Sequence, residues 1–192
     1  MSLFNISDWL QRVKFSSLED AQLAALIAQG NQNAFSVIYE RYKLDAYNYS
    51  LSILKNKQAA MDATHDCFIK LFEKRKSYKE EMKFKSYFFR VIRNHCFDIL
   101  KKKGEILFDE REDLEFSKGD DNVFDDAFRS MTLSEIDERF YSLEVYERDL
   151  FILWAKGFSM KEISNIAQMK ESNIKTKLHR IKKKLTKDLD VL

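Results

Sequence analysis

The spacing of apolar residues along the chain predicts helices over most of its length. Apolar positions recur every three or four residues over 18–103, and the same spacing returns at Leu133 and continues toward the C-terminus. The stretch between them has poor periodicity. The sequence therefore predicts an all-α protein with two helical domains, 1–103 and 131–192, joined by a linker over 104–130.

The C-terminal domain carries the local signals of a helix-turn-helix. Gly157 can end one helix in a left-handed conformation. Ser159 followed by Glu162 forms a capping box at the start of a short second helix. A turn near Gln168 then leads to a third helix from about Glu171. These signals predict a helix-turn-helix, in which the helix that begins after Ser159 and the helix that begins near Glu171 are joined by a turn. In this motif the helix near Glu171 is the one that lies on DNA.

The helix predicted to begin near Glu171 has an apolar stripe and a mixed polar side. Ile174, Leu178 and Ile181 fall on one narrow stripe, so the opposite side is expected to face outward, with Lys182 on a flank. Such a helix fits a DNA major groove, although a solvated basic face would explain an isolated lysine-rich helix equally well. The predicted contacts to double-stranded DNA are Ser172, Lys175, Thr176, Lys177, His179, Arg180 and Lys183.

The N-terminal domain is predicted to carry a protein-docking surface on the helical stretch 62–75. Ala63, Cys67 and Leu71 form the core side, which leaves Ile69 on the opposite side among acidic residues. An apolar residue in acidic surroundings suits a docking surface, although single exposed apolar residues are also common. The residues assigned to this surface are Asp62, His65, Asp66, Ile69 and Glu73.

A further surface is predicted on the helix that begins near Phe84. Phe88, Ile92 and Ile99 form its apolar stripe, whereas Tyr87 and Phe97 fall on a side with basic residues. Aromatic rings beside cations are what single-stranded DNA binding needs, although the rings could instead pack against a neighbouring helix. The residues assigned to this surface are Tyr87, Phe89, Arg90, Arg93, Asn94, Phe97 and Lys101.

Charge and composition narrow the class of protein. The net charge is only +2, but residues 104–126 hold ten acidic and two basic residues, and residues 160–187 hold nine basic and two acidic ones. This asymmetry indicates a nucleic-acid-binding end and an acidic tether. There is no proline, and no apolar stretch long enough for a signal peptide or membrane insertion, so we expect a cytoplasmic protein. Cys67 and Cys96 are expected to be buried, reduced thiols.

Five segments resemble bacterial RNA polymerase sigma factors of the small, two-domain extracytoplasmic-function (ECF) group. Residues 62–68, Asp-Ala-Thr-His-Asp-Cys-Phe, resemble the motif that docks on the polymerase clamp. Residues 84–94 resemble the segment that opens the −10 promoter element, and the loop before them resembles the part that captures a flipped base. Residues 157–164 and 174–180 resemble the end that recognises the −35 element, with Gln168 where the family usually has glycine.

The resemblance implies a sigma factor that directs polymerase to promoters and assists promoter melting. The partners it implies are core RNA polymerase and promoter DNA, both double- and single-stranded, and it allows for an anti-sigma protein. The acidic linker would then lie along a nucleic-acid path in the polymerase, or serve as an ordinary flexible tether.

Two other classes of function fit the sequence less well. A conventional helix-turn-helix regulator, acting without polymerase, would explain the C-terminal domain but gives no role to Ile69, Tyr87 or Phe97. An enzyme is disfavoured, because the three histidines lie far apart in the sequence and there is no glycine-rich phosphate loop. We therefore expect no catalytic residues, no cofactor and no metal.

Overall fold

The computed structural model describes residues 14–78, 82–106 and 133–186, with side chains in the last range from residue 136. All regular secondary structure in these ranges is helical, and the chain divides into two compact units, Met1–Glu105 and Ile106–Leu192. The prediction of an all-α fold with two helical bodies is confirmed. The acidic linker lies almost wholly outside the described residues. No helix in the described ranges has the length and apolar character that a membrane span requires.

The described part of the first unit contains four α-helices and a short 3-10 turn. Their bounds are Asp20–Ala28 (α1), Gln32–Leu54 (α2), Lys57–Glu73 (α3), Arg75–Ser77 (the 3-10 turn) and Phe84–Lys102 (α4). Asparagines begin two of them, because Asn31 and Asn56 each accept a backbone N–H of the first turn through the side-chain oxygen. Lys55 separates α2 from α3 in the left-handed conformation, with φ 51°.

Aromatic rings form much of the core of this unit. Helix α4 packs against α1, α2 and α3, and the ring of Phe88 lies 5.0 Å from Tyr42 of α2 and 5.3 Å from Phe68 of α3. Cys67 and Cys96 are buried free thiols, as expected. Burial raises the pKa of Cys67 above its usual range, which keeps it protonated and unreactive.

The chain that leads into α1 is held against α2. Arg41 forms an ion pair with Asp20 at 2.5 Å and donates hydrogen bonds to the carbonyl oxygens of Ser16 (2.9 Å) and Leu18 (2.8 Å). Tyr42 donates to the same Asp20 carboxylate. These contacts fix residues 16–20 beside the N-terminal half of α2.

Four α-helices lie in the described residues of the second unit, 133–186. They are Leu133–Ser142 (α5), Val145–Ala155 (α6), Met160–Ala167 (α7) and Glu171–Thr186 (α8). Helix α8 packs against α5, α6 and α7. Its core-facing residues Ile174, Leu178 and Ile181 are buried together with Leu153 and Ile163. The predicted apolar stripe of α8 is thus confirmed as part of the core.

Candidate functional site

The surface predicted on α3 is exposed in the structure. Asp62, His65, Asp66, Ile69 and Glu73 all lie on the solvent side of the helix. Ile69 is 47% exposed, which is high for a large aliphatic side chain. The opposite side of α3, with Ala63, Cys67 and Leu71, is buried. The sequence pattern therefore placed both sides of this helix correctly.

Met61 belongs to the same surface and was missed by the sequence analysis. It is 56% exposed and precedes Ile69 by eight residues, or about two helical turns. The signal was present in the sequence, because residues four apart lie on one face of a helix and Met61, His65 and Ile69 have that spacing. The surface thus has two apolar side chains among its carboxylates.

An apolar groove lies beside this surface, between α2 and α3. Its volume is about 560 Å³, and its walls include the rings of Phe35, Tyr39, Phe68 and Phe72. The Phe35 ring centroid is 5.0 Å from that of Phe72, and Tyr39 is 4.8 Å from Phe68. Three residues of the α3 surface line the groove as well: His65, Ile69 and Glu73. The groove and the predicted docking surface are therefore continuous.

One carboxylate of the α3 surface is linked to α4 through a histidine. Lys70 donates a hydrogen bond to Nδ1 of His95 at 2.7 Å, and His95 Nε2 lies 3.3 Å from the carboxylate of Asp66. Because Nδ1 accepts, the ring proton is assigned to Nε2, on the side of Asp66. Burial and the neighbouring Lys70 lower the pKa of His95, so the ring is neutral at pH 7.

The surface predicted on α4 differs from the expectation. Tyr87 is 8% exposed and Phe97 5% exposed, so the prediction that both rings lie off the core is wrong. Phe89 and Arg93, assigned to the same surface, are buried too, whereas Ile99 of the predicted core stripe is only half-buried. The physical reason is that α4 contacts three other helices, which bury a wider arc than one stripe.

Specific contacts account for these buried side chains. The ring of Tyr87 packs 5.3 Å from Tyr78, and burial raises its pKa above the usual value. Phe89 packs edge-on against Tyr49 at 5.7 Å. The guanidinium of Arg93 lies 4.4 Å from the centre of the Phe97 ring. The residues of this surface that solvent reaches are Asn94 and Lys101, with Arg90 half-exposed.

Half of the loop before α4, residues 78–83, lies outside the described residues. Residues 79–81 are not described, so the expectation of a base-capturing loop is not examined by the structure. The residues on either side of this gap are joined, because the hydroxyl of Tyr78 donates a hydrogen bond to the carbonyl oxygen of Met82 at 3.0 Å.

The predicted helix-turn-helix is present, with the predicted local chemistry. Gly157 has φ 79°, in the left-handed region that glycine adopts without strain. The N–H of Glu162 donates to the Ser159 hydroxyl at 3.3 Å, and the N–H of Ser159 donates to the Glu162 carboxylate at 2.9 Å. Gln168 takes the left-handed position of the turn, with φ 56°, and α8 begins at Glu171.

The outward side of α8 is narrower than predicted. Thr176 is only 3% exposed, and its hydroxyl donates to the carbonyl oxygen of Ser172 at 3.1 Å, so its expected position on the outer side is wrong. Lys182, expected on a flank, is buried with its ammonium 4.4 Å from the centre of the Trp154 ring. Packing against three helices again explains the wider buried arc. The accessible residues are Ser172, Lys175, Arg180 and Lys183, with Lys177 and His179 half-exposed.

Within the described ranges, no cluster of His, Cys, Asp or Glu side chains has a geometry that could hold a metal ion. The molecule presents three candidate contact surfaces in these ranges: an apolar and acidic surface on α3, cationic and polar side chains on α4, and a basic outer side on α8. Carboxylates around apolar side chains favour contact with protein, whereas lysine and arginine on an exposed helix favour contact with phosphate.

Comparison with known proteins gives these surfaces a common context. Residues 38–106 match the model of Sigma-70 region 2. The chain is 29% identical to the ECF RNA polymerase sigma factor SigM of Bacillus subtilis (strain 168), over 77% of this chain and 90% of that protein. It is 27% identical to the ECF RNA polymerase sigma factor SigW of the same organism, over 85% of this chain and 92% of that protein.

Solved structures agree at the level of the fold. CnrH, in complex with the cytosolic domain of CnrY, superposes with a TM-score of 0.65 at 20% identity, over 89% of this chain and 97% of that one. The sigma factor RpoE of Bartonella quintana, in complex with the anti-sigma factor NepR, gives a TM-score of 0.62 at 19% identity, over 82% and 97% of the two chains.

Proposed function

The chain is an ECF-type RNA polymerase sigma factor, and from this premise we propose which of its surfaces performs each task. A sigma factor is not an enzyme; it binds core RNA polymerase and directs it to promoters for transcription initiation. We infer that the chain acts in the cytoplasm, where its polymerase works. The alternative, a regulator acting without polymerase, does not account for the region 2 match, because that match covers α3 and α4 rather than the helix-turn-helix.

We propose that core polymerase binds the exposed side of α3. The observation that supports this most directly is the pair of exposed apolar side chains, Met61 and Ile69, on the same side of α3 as the exposed carboxylates of Asp62 and Asp66. Apolar side chains at the centre of a patch supply affinity when they are desolvated, and the charges around them orient the partner. His65 and Glu73 would lie at the edge of the contact.

We propose that α4 contacts the promoter near its −10 element through the accessible part of the predicted surface. Arg90, Asn94 and Lys101 can reach a DNA backbone without rearrangement. The buried side chains Tyr87, Phe89, Arg93 and Phe97 would support this surface from beneath. A contact between an unpaired base and either ring would require the packing of α4 to open.

We propose that α8 enters the major groove of the −35 element. Arg180 and Ser172 would face base edges, whereas Lys175 and Lys183 would contact phosphates, with Lys177 and His179 at the margin. In this assignment residues 1–103 serve polymerase docking and the −10 element, residues 104–130 the tether, and residues 131–192 the −35 element. An anti-sigma protein is a further proposed partner, since the RpoE structure is a complex with one.

The docking proposal is tested with the double variant Asp66→Lys and Ile69→Asp. Tagged variant protein should no longer retain core RNA polymerase in co-purification, while its helicity by circular dichroism stays at the wild-type level. The matched control is Leu44→Asp, which places the same charge at an apolar side chain of α2 that is 65% exposed, and it should retain polymerase normally. A folded double variant that retains polymerase as wild type does would place docking on another face.

A further inference from the structure

Two neighbouring grooves lie along α2 and share part of their lining. The first is the groove of about 560 Å³ between α2 and α3 described above. The second has a volume of about 680 Å³ and is lined by Ser16, Val37 and Arg41 among others. Phe35, Ser36 and Tyr39 line both, so together they form one continuous apolar channel. Contact between water and the aromatic side chains of this channel is unfavourable. An apolar occupant would displace the water and so lower the free energy.

The N-terminal segment of this chain enters the second groove directly. Ser16 lines it, and Arg41 of the groove wall holds the backbone there through hydrogen bonds to the carbonyl oxygens of Ser16 and Leu18. The residues before Lys14 are therefore covalently attached to the channel at Ser16. A short tether gives a local concentration in the millimolar range, at which even a weak contact is mostly formed.

The sequence of this segment has the chemistry to fill such a channel. At about 100° per residue, five apolar residues between positions 3 and 13 fall within an arc of roughly 120°. They are Leu3, Ile6, Trp9, Leu10 and Val13. The opposite arc holds Asn5, Ser7, Asp8, Gln11 and Arg12, with Phe4 as the one apolar residue among them. Eleven residues in a helix would span about 16 Å, or roughly three turns.

We propose that residues 3–13 occupy this channel in the free protein, with their apolar side against the rings of Phe35, Tyr39 and Phe72. Two observations favour the chain's own N-terminal segment as the occupant. The segment is attached to the channel at Ser16, and five of its apolar residues share one arc that can face the aromatic rings. His65, Ile69 and Glu73 line the same channel and also belong to the α3 surface. The bound segment therefore competes with core polymerase, a consequence that rests on the docking surface proposed above.

Trp9 reports directly on this contact, without polymerase. The chain has two tryptophans, Trp9 and Trp154, so in a Trp154→Phe background Trp9 is the only tryptophan, and its emission is read by exciting tryptophan selectively over tyrosine. Its emission should be blue-shifted and protected from acrylamide. Adding Ser36→Lys, which places a charge where the two grooves meet, should shift the emission to the red and at least double the quenching constant. Trp9 that quenches like an exposed tryptophan, or that does not respond to Ser36→Lys, overturns the proposal.

Ser52→Lys is the matched control. Ser36 and Ser52 lie on the same helix, and each hydroxyl donates to the carbonyl oxygen four residues earlier, at 3.0 and 2.8 Å. Ser52 lines neither groove, so its replacement should leave Trp9 emission unchanged. A blue shift of Trp9 that appears only as the protein concentration rises would place the segment on a second copy and would also overturn the proposal.

Binding to core polymerase separates this inference from the docking proposal. If the segment occupies the channel nine-tenths of the time, deleting residues 2–13 should tighten the affinity for core about tenfold. An unchanged affinity, together with a protected Trp9 that Ser36→Lys releases, would support the occupied channel and count against polymerase docking on this part of α3. A Trp9 that fails the fluorescence test overturns the inference whatever the polymerase affinity is.

Discussion

Two cations of this protein lie over aromatic rings rather than at the surface where the sequence placed them. The guanidinium of Arg93 is 4.4 Å from the Phe97 ring centre, and the ammonium of Lys182 is 4.4 Å from that of Trp154. Long basic side chains can bury their aliphatic stems beside apolar neighbours while the charge meets the face of a ring. At the scale of single residues, a basic side chain on a helix proposed to bind DNA can therefore be part of the core.

Lys182 should contribute to stability rather than to DNA affinity. Lys182→Ala should lower the unfolding free energy of the second unit by about 1 kcal/mol, because it removes a buried stem and a cation–π contact. The salt dependence of promoter binding should stay as in wild type. The exposed Lys175→Ala should do the reverse, with unchanged stability and a salt slope reduced by about one. Urea unfolding and binding titrations at several salt concentrations measure both quantities, and identical behaviour of the two variants would contradict this division.

Arg180 is the exposed residue of α8 best suited to distinguish base pairs. Arg180→Ala should weaken binding to the preferred −35 element by about 1–3 kcal/mol and relax the preference at one position, if its guanidinium makes two bonds to a guanine. Lys175→Ala should weaken binding to all −35 sequences alike. Affinities for a set of single-base variants of the element test this, and a uniform loss with Arg180→Ala would exclude a base contact.

Tyr87 should behave as a core residue. Tyr87→Ala should lower the unfolding free energy of the first unit by about 3–5 kcal/mol, as large aromatic truncations do, whereas Tyr87→Phe should cost far less. Arg90→Ala, on the half-exposed side of α4, should change stability by less than about 0.5 kcal/mol but weaken promoter opening. Thermal unfolding and permanganate reactivity of thymines near −10 separate the two effects. A fully stable Tyr87→Ala variant would show that the ring is not part of the core.

At the scale of elements, the helix-turn-helix forms with a residue that does not favour its conformation. Gln168 ends α7 in the left-handed region, at φ 56°, where a side chain clashes with the backbone. The surrounding contacts offset this cost: Ser164 donates its hydroxyl to the carbonyl oxygen of Met169 at 2.6 Å and accepts the N–H of Met169 on its own carbonyl at 3.2 Å. The turn keeps its geometry because neighbouring bonds close it.

Gln168→Gly should stabilise the second unit by up to about 1 kcal/mol. Glycine adopts the left-handed conformation without strain, and part of that gain is lost to the greater freedom of glycine in the unfolded chain. Gln168→Ala, which keeps the strain, is the control and should not stabilise. Chemical denaturation of the three proteins provides the measurement, and equal stability of the glycine and alanine variants would mean that the turn is not strained.

At the scale of the whole molecule, stability should depend on pH through His95. Burial and Lys70 lower the pKa of this histidine in the folded chain, so the unfolded chain takes up a proton more readily. Neutral His95 therefore contributes to the free energy of unfolding. This contribution is fully present above pH 6.5, the usual histidine pKa, and is lost as the pH falls below it. The hydrogen bond from Lys70 to Nδ1 at 2.7 Å is lost with protonation as well.

The expected result is a lower unfolding free energy at pH 5.5 than at pH 7.5, with a smaller difference in His95→Gln. His65→Gln, at an exposed position on α3, should keep the full pH dependence. Urea unfolding of the three proteins at both pH values tests this. A His95→Gln variant with the wild-type difference would assign the pH dependence to other groups.

The sequence by itself determined the features that depend on residues within about four positions of one another. The capping box of Ser159 and Glu162 and the left-handed Gly157 are of this kind, as is the separation of Ile69 from the buried side of α3. A helical period and a capping pair are short-range interactions, so the residues alone specify them. The same local motifs also supported the resemblance to sigma factors.

Only the tertiary structure decided how much of each helix is buried and which distant residues meet. Tyr87, Phe97 and Thr176 are buried because α4 and α8 each pack against three helices, and spacing along one helix does not report how many neighbours it has. The contact of Lys70 with His95, 25 residues away, and the channel along α2 likewise depend on helices brought together by long-range packing. Burial is a property of the assembled helices, and for that reason the outer sides of α4 and α8 were predicted too wide.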